Sequence, residues 1–480
     1  MTTLSCLDLF STPKTQNEIV RSYPVVKGTS SALDDSMDLE FVFEQVKKNT
    51  SLHLLFEMGK IIRCQIMGLD CHHDNIMFFL QSSEHYTNLR ESFLELRLQL
   101  VKEDGSDVVH RGAMVNNEFP EGPDYGVVPI NNIAHSLFSY VELTLNDNVL
   151  CSEPLYAYKA LVQSLFTYSN ATKNSSLQDL SGWRDDTPGF FENEKNKAFD
   201  WGSDKQCLNS KIFSVVMYPC LDLFQQDRLL PNLVGIKLNL HRNSQAFCIM
   251  NVKATRTTKY KIVIKRARFH LYRSVLSSDK FIEIERSLAS GNNLIYPVKS
   301  LIIKPSTIAQ GKQFITIDTM FANQYVPERL ILTFVEQSSY CGQVGKNGFN
   351  FQHFEISECS IDLLGQTHTQ KFEWDKTKQN TTIVPYQDYI RLLSQRYPED
   401  SGFGISKKAY ENGNFFICFD LSPDESFRTG TSRAGVKGNI ILNLRFSNQL
   451  SNPIVLLAMG VYDNVFQASI DRTFTKPFVY

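Results

Sequence analysis

Ile236, Leu238 and Leu240 alternate with Lys237 and Asn239. This is the two-residue period of a strand that buries one face and wets the other. The same alternation recurs along most of the chain. Between Phe93 and Leu100, Leu94, Leu96, Leu98 and Leu100 take one face and Glu95, Arg97 and Gln99 the other. Between Asn439 and Phe446, Ile440, Leu442, Leu444 and Phe446 oppose Ile441, Asn443 and Arg445. Tyr140 to Leu145 alternates as well, and Asn146-Asp147-Asn148 closes it with a hairpin signal. Lys102 to Ser106 is another turn, in which Gly105 supplies a positive φ.

Further strands are predicted over Tyr260–Ile264, Phe314–Ile317, Leu330–Val335, Phe415–Phe419 and Ile454–Tyr462. The apolar run Ile454 to Val461 is far shorter than the roughly 20 residues of a membrane span and reads as a strand buried on both faces. Helical spacing is rarer. Ser152 as cap and Pro154 in the first turn introduce a stripe of Leu155, Tyr158, Leu161, Val162 and Leu165. A second helix is expected from Ser278 to Ser290, stopped by Gly291, and a third near Pro385 with Tyr389, Ile390 and Leu393. Residues 1 to 35 read as an extended arm, 111 to 129 as a long loop, and 169 to 206 as a surface excursion. Leu39 to Phe43 looks strand-like, and Leu52 to Cys64 mixes both periods. Asn251 to Thr258 is the expected linker. Many short strands on both sides of it imply an all-β chain of two sandwiches in series.

Length supports that division, because 480 residues exceed one ordinary core. Aromatic residues make up 12%, with 34 Phe and 19 Tyr, and flat rings suit pleated faces. The formal net charge of −2 provides no general field for holding nucleic acid. Ten cysteines lack any C-x-x-C pair, and no secretory leader is evident, so reduced thiols in a cytosolic or nuclear setting are expected. The sequons at Asn49, Asn170, Asn174 and Asn380 are then coincidental.

Candidate chemistry is thin. Cys64 with Cys71-His72-His73 offers soft metal ligands but no second knuckle, so a loop is the better reading. Gly342 to Lys346 falls short of a phosphate loop, because Tyr340 stands where the first Gly is needed and Asn347 where a hydroxyl is needed. Asp185-Asp186 and Glu399-Asp400 read as solvated surface, although carboxylates on separate strands could form a glycosidase pair. The basic run Lys261 to Arg268 fits a strand with one wet face better than a nucleic-acid strip. No G-x-S-x-G elbow or triad setting exists. No catalytic, cofactor-binding or metal-ligating residue is therefore assigned, and no cofactor is expected.

Taken in order, several phrases resemble the major capsid protein of Polinton (Maverick) elements and their adintovirus relatives. They are Leu7 to Gln16, Ile76 to Asp104 with Ser83 to Leu89, Pro129 to Leu145, and Phe224-Gln-Gln-Asp-Arg-Leu-Leu230. Asn347 to Phe351, Gly404 to Ser406, Phe419 to Asp424 and Tyr462 to Asn464 continue the series. One departure is that residues 30 to 75 are longer than the family's connection between arm and first strand. The resemblance implies a double jelly roll of two eight-stranded antiparallel sandwiches, similar in plan to adenovirus hexon. Its expected division is an N-terminal arm and insertion over 1–75, a first jelly roll over 76–250 and a second over 251–480.

The resemblance further implies a structural, non-enzymatic homotrimer tiling a virion capsid beside a penton or minor capsid protein. The shell encloses double-stranded DNA without sequence-specific binding, and no membrane span is expected. Synthesis is then in the host cytoplasm, with assembly in the nucleus or cytoplasm. Two alternatives remain open. One is a β-sandwich carbohydrate-binding or carbohydrate-active protein, which would display platforms from Trp183, Trp201 or Trp374. The other is a domesticated capsid-derived protein.

Overall fold

The computed structural model describes residues 75–110, 122–193, 195–197, 208–252, 258–321, 324–374, 382–393, 405–421 and 437–476. It also describes the backbone of the strands Val26–Lys27, Leu39–Phe43 and Phe56–Gln65. Among the described residues, sixteen strands build two sandwiches. The first contains β1 (Phe56–Gln65), β2 (Asn75–Leu80), β3 (Tyr86–Lys102), β4 (Phe138–Leu145), β5 (Asn148–Glu153), β6 (Phe213–Met217), β7 (Ile236–Arg242) and β8 (Tyr260–Leu276). The second contains β9 (Leu294–Ile308), β10 (Phe314–Ile317), β11 (Arg329–Glu336), β12 (Ile356–Leu363), β13 (Gln366–Lys371), β14 (Ile417–Asp420), β15 (Ile440–Phe446) and β16 (Ile454–Ala468).

The sheet orders are β1-β8-β3-β6 and β2-β7-β4-β5 in the first, and β9-β16-β11-β14 and β10-β15-β12-β13 in the second. Counted within each half, both read 1-8-3-6 and 2-7-4-5. Two antiparallel four-stranded sheets wound this way are a jelly roll, so the chain is an all-β double jelly roll. Short pairs lie outside this frame. Leu39–Phe43 extends the first sheet beyond β1, Val127–Pro129 pairs with Ile249–Asn251, and Gln324–Tyr325 pairs with Lys437–Gly438.

The alternating positions form the cores as expected. Leu94, Leu96, Leu98 and Leu100 are fully buried, as are Leu238 and Leu240 on the opposing sheet. Phe78 on β2 meets Phe269 on β8 across the first sandwich, with ring centroids 5.7 Å apart. Phe334 and Phe446 do the same across the second at 5.9 Å. Every residue of Ile454–Gly460 is buried, as its unbroken apolar run predicts. The hairpin turn at Asn146-Asp147 has φ of 44° and 67°, the left-handed pair that a two-residue loop needs.

Several expectations need adjustment. Tyr260–Leu276, expected to open the second half, lies between β3 and β1 in the first sandwich. The eighth strand of a jelly roll returns beside its third and first, so it pairs with chain far upstream. Residues 56 to 65, assigned to an arm and insertion, contribute β1, the first strand of that sandwich. Ser152 does not cap a helix. It belongs to β5, and helix α1 (Tyr156–Thr167) starts without any side-chain cap. Helices α2 (Ser278–Ala289) and α3 (Ile383–Leu393) appear near their expected places, with Gly291 at φ 86° just past α2. A short helix α4 (Lys407–Glu411) follows.

Candidate assembly surface

The two sandwiches meet along a seam built from the connection between the fifth and sixth strands of the first. Helix α1 is apolar around most of its girth because it is held between the two halves. On one side the Tyr156 hydroxyl meets Nδ1 of the buried His135 at 2.9 Å. On the other, Tyr158 packs among Tyr340, Phe349 and Phe351, with centroids 5.7 to 6.3 Å away. Lys159 is 1% exposed. Its ammonium donates to Glu153 Oε1 at 2.5 Å and to Asp222 Oδ1 at 2.9 Å. The other Asp222 oxygen accepts from Ser300 Oγ at 2.5 Å, and Asn464 Nδ2 donates to Ser300 at 3.2 Å. Burial alone would lower the Lys159 pKa. The Asp222 and Glu153 carboxylates outweigh it and hold it above the ordinary lysine range. This network of charged and polar groups joins α1 and β5 to β9 and β16.

The phrase Phe224 to Leu230 crosses the same seam. Phe224 is buried against Phe269, and Gln226 folds back so that its Oε1 accepts from the Arg228 amide. That turn aims the Arg228 guanidinium at the Ile295 carbonyl of β9, while Tyr296 OH donates to the Leu229 carbonyl at 3.1 Å. Beside it lies an open groove of about 440 Å³, lined in part by Gln225, Asp227, Pro297 and Lys299. Lys299 is held there by Glu328 at 3.0 Å and Asp463 at 2.7 Å. At the hairpin end, Asn146 Nδ2 donates to the Arg472 carbonyl at 3.1 Å. The Arg472 guanidinium reaches back to Asn232 Oδ1 at 2.8 Å.

The residues singled out for possible chemistry lie in separate parts of the fold. Cys64 lies on β1 opposite Phe269, and residues 71 to 73 fall outside the described residues. Among the described residues no group of three or more His, Cys, Asp or Glu is placed to hold a metal. Gly342 and Gly345 occupy left-handed turns, and Lys346 is engaged by Glu336 at 3.0 Å and Glu192 at 3.3 Å. The basic run from Lys261 is part of β8, with Lys261 Nζ donating to the Glu103 carbonyl at 2.8 Å. Glu399-Asp400 lies outside the described residues.

Asp186 departs from the solvated surface expected of it. Its carboxylate accepts from Asn196 Nδ2 at 2.6 Å, and burial pushes its pKa up to about 7. Sequence spacing missed this because the half-buried carboxylate is enclosed by side chains from other loops, Asn196 and Asn347 among them.

The tryptophans form no open platform where they are described. Trp183 is 1% exposed, and Trp374 is stacked against His353 at 3.6 Å. Trp201 falls outside the described residues. Exposed apolar side chains lie elsewhere. Met77 and Phe79 line the outer face of the edge strand β2, and Phe314 that of the equivalent edge strand β10. Among the described residues no helix is long and apolar enough to cross a membrane.

No family model matches the chain. The uncharacterized protein F54H12.2 of Caenorhabditis elegans is 27% identical over 348 residues, spanning 71% of this chain and 78% of that protein. Three solved structures share the fold over nearly the whole length. The Sputnik virophage structure aligns with a TM-score of 0.57 at 10% identity, covering 94% of this chain and 93% of its own. The PBCV-1 virus capsid gives 0.53 at 12% identity, covering 88% and 97%. The mavirus major capsid protein gives 0.52 at 11% identity, covering 91% and 93%. The fold of this chain is thus the double jelly roll found in viral and virophage capsid proteins.

Proposed function

We propose that this chain is the major capsid protein of a Polinton-like element, a structural subunit and not an enzyme. Three copies form a capsomer whose six sandwiches give a nearly hexagonal outline, and capsomers tile an icosahedral shell around double-stranded DNA. The observation that carries this reading is the repetition of one jelly-roll topology in both halves, joined by a buried seam. Two similar units fixed side by side within one chain allow a threefold assembly to approximate sixfold packing. The nematode relative supports an element carried in an animal genome. The near-neutral charge suits a wall that meets identical neighbours and leaves genome condensation to other proteins. A penton or minor capsid protein completes the vertices of the closed shell.

Assembly takes place in the host cytoplasm or nucleus after cytoplasmic synthesis. We divide the chain after Leu276, so that β1 to β8 form one jelly roll and β9 to β16 the other. Sedimentation velocity of the purified protein tests the reading, with electron micrographs of the same sample. The expected species has the mass of three chains and a hexagonal outline. A folded protein that remains monomeric at tens of micromolar would overturn it.

A further inference from the structure

We infer that the seam inside the molecule is the template for the contact between molecules. In particular, the β12–β13 hairpin tip at Leu364 docks on helix α2 of a second copy, at Phe281 and Ile282. This rests on the trimer reading above and assigns residues to its interface.

The two halves correspond strand for strand, and their registers make the correspondence residue by residue. Leu145 pairs with Ile236 at the end of β4, and Leu363 pairs with Ile440 at the end of β12. The strands β7 and β15 then read Ile-Lys-Leu-Asn-Leu and Ile-Ile-Leu-Asn-Leu in the same frame. Asn146 and Leu364 therefore occupy the same place, each opening a two-residue turn with positive φ at both positions.

Within the molecule, the Asn146 turn has a defined partner. Its side chain binds the Arg472 carbonyl, and Asn148 Nδ2 lies 3.5 Å from the Phe474 carbonyl, in the segment that follows β16. In the first sandwich, the segment that follows the corresponding strand β8 is α2. If one rotation carries the first sandwich to the second, repeating it carries the second sandwich onto the first sandwich of the next copy. The same step turns the contact between the β4–β5 tip and the post-β16 segment into one between the β12–β13 tip and α2 of that copy. Such a heterologous contact closes as a ring when the rotation permits.

The side chains at these places are those of an uncovered interface. Leu364 is 67% exposed, whereas Asn146 in the matching turn is spent on hydrogen bonds. A leucine at φ 50° is also an unfavourable choice for such a turn, where Asn or Gly relieves the backbone. Phe281 and Ile282 are exposed on α2, while Ile284 and Leu288 fill its inner face. Ile383 and Val384 are exposed at the start of α3, in the connection that corresponds to the one carrying the buried α1. Apolar exposure thus marks the second sandwich's hairpin tip and fifth-to-sixth connection, together with the segment following β8. These are the counterparts of regions already covered at the internal seam.

The test pairs cysteine cross-linking with assembly state. Leu364→Cys combined with Ile282→Cys, mildly oxidised, should give covalent dimers and trimers on non-reducing gels. Leu364→Cys combined with Leu180→Cys should give none beyond the single-variant background. Leu364→Lys should weaken trimer formation at least tenfold in sedimentation, with unchanged near-ultraviolet dichroism. If Leu364→Lys disturbs folding, Phe281→Ser with Ile282→Ser supplies the same readout from the other side. A wild-type trimer that neither cross-links nor responds to these substitutions overturns the inference and leaves the trimer reading intact. A monomeric wild type overturns both.

Discussion

The ring of Phe191, carried by a loop of the first sandwich, lies directly over Gly413 of the second. A Cβ built on Gly413 would stand 2.1 Å from Phe191 Cε2, and Gly413 has φ of 121°. Both the space and the backbone therefore require glycine here. Phe247 covers Gly348 in the same manner, with a Cβ there 2.5 Å from its Cε2. The halves close on each other by aromatic rings seated on glycines, a fit that allows almost no slack at packed-interior density.

Gly413→Ala should accordingly destabilise the protein by about 2–4 kcal/mol, combining backbone strain with overpacking. Urea denaturation of the single and double variants separates the two causes. Phe191→Ala added to Gly413→Ala should recover the packing share and leave the backbone share. If the double variant is merely the sum of two losses, the ring is not what the methyl meets.

Lys159 sits between two carboxylates, with its own side chain almost wholly buried. Lys159→Met keeps the volume and removes the charge, leaving Glu153 and Asp222 buried without a counter-ion. A loss of about 3–5 kcal/mol is expected from breaking a buried pair on one side. The loss should shrink in a triple variant that also carries Glu153→Gln and Asp222→Asn, because no charge is then stranded. A Lys159→Met protein as stable as its parent would mean that the seam is hydrated.

How much of this was legible in advance differs by scale. The two-residue period marked Ile236–Leu240 and Ile440–Leu444 because a face buried against an opposing sheet leaves a local record. The Asn146-Asp147 turn was legible for the same reason: its chemistry is contained in its own residues. Partnership was not. Tyr260 to Leu276 pairs with strands more than 150 residues upstream, and nothing in its alternation says which sheet receives it. The common Ile-x-Leu-Asn-Leu frame of β7 and β15 emerges only once the ladders align the halves. Lys159 shows the same limit, since on a helix otherwise rich in apolar residues it reads as a solvent-facing position. Only the carboxylates brought in from β5 and Asp222 explain its burial.

Leu364→Asn is expected to stabilise the isolated subunit while weakening assembly. Asparagine tolerates the left-handed conformation that leucine adopts here at φ 50°, a gain of about 1 kcal/mol. Asn146 at the equivalent position is the precedent within the same chain. Thermal unfolding below the assembly concentration should show a higher midpoint than wild type. Sedimentation above it should show fewer trimers. A change of the same sign in both would show that backbone relief and subunit contact are not separate at this residue.

Asp186 makes stability depend on pH in an uncommon direction. Burial raises its pKa from the ordinary 3.8 to about 7, with Asn196 opposing the rise and Asp185 adding to it. Between these values the folded protein holds a proton that the unfolded chain has released. This group's contribution is full below about pH 4, falls as pH rises toward 7, and is constant above that. At roughly 1.4 kcal/mol per unit the loss is on the order of 4 kcal/mol. His135 acts oppositely. Burial lowers its pKa from 6.5 to about 4, so protonation costs stability as pH falls through that window. The two slopes partly cancel in wild type, which makes the difference between variants the informative quantity. Asp186→Asn keeps an acceptor for Asn196 and cannot ionise. Its stability relative to wild type should therefore rise from pH 4.5 to pH 7.5, read from urea midpoints across the range, and then level off. A difference that is flat across the range would mean that Asp186 is already ionised in the folded protein at pH 4.5.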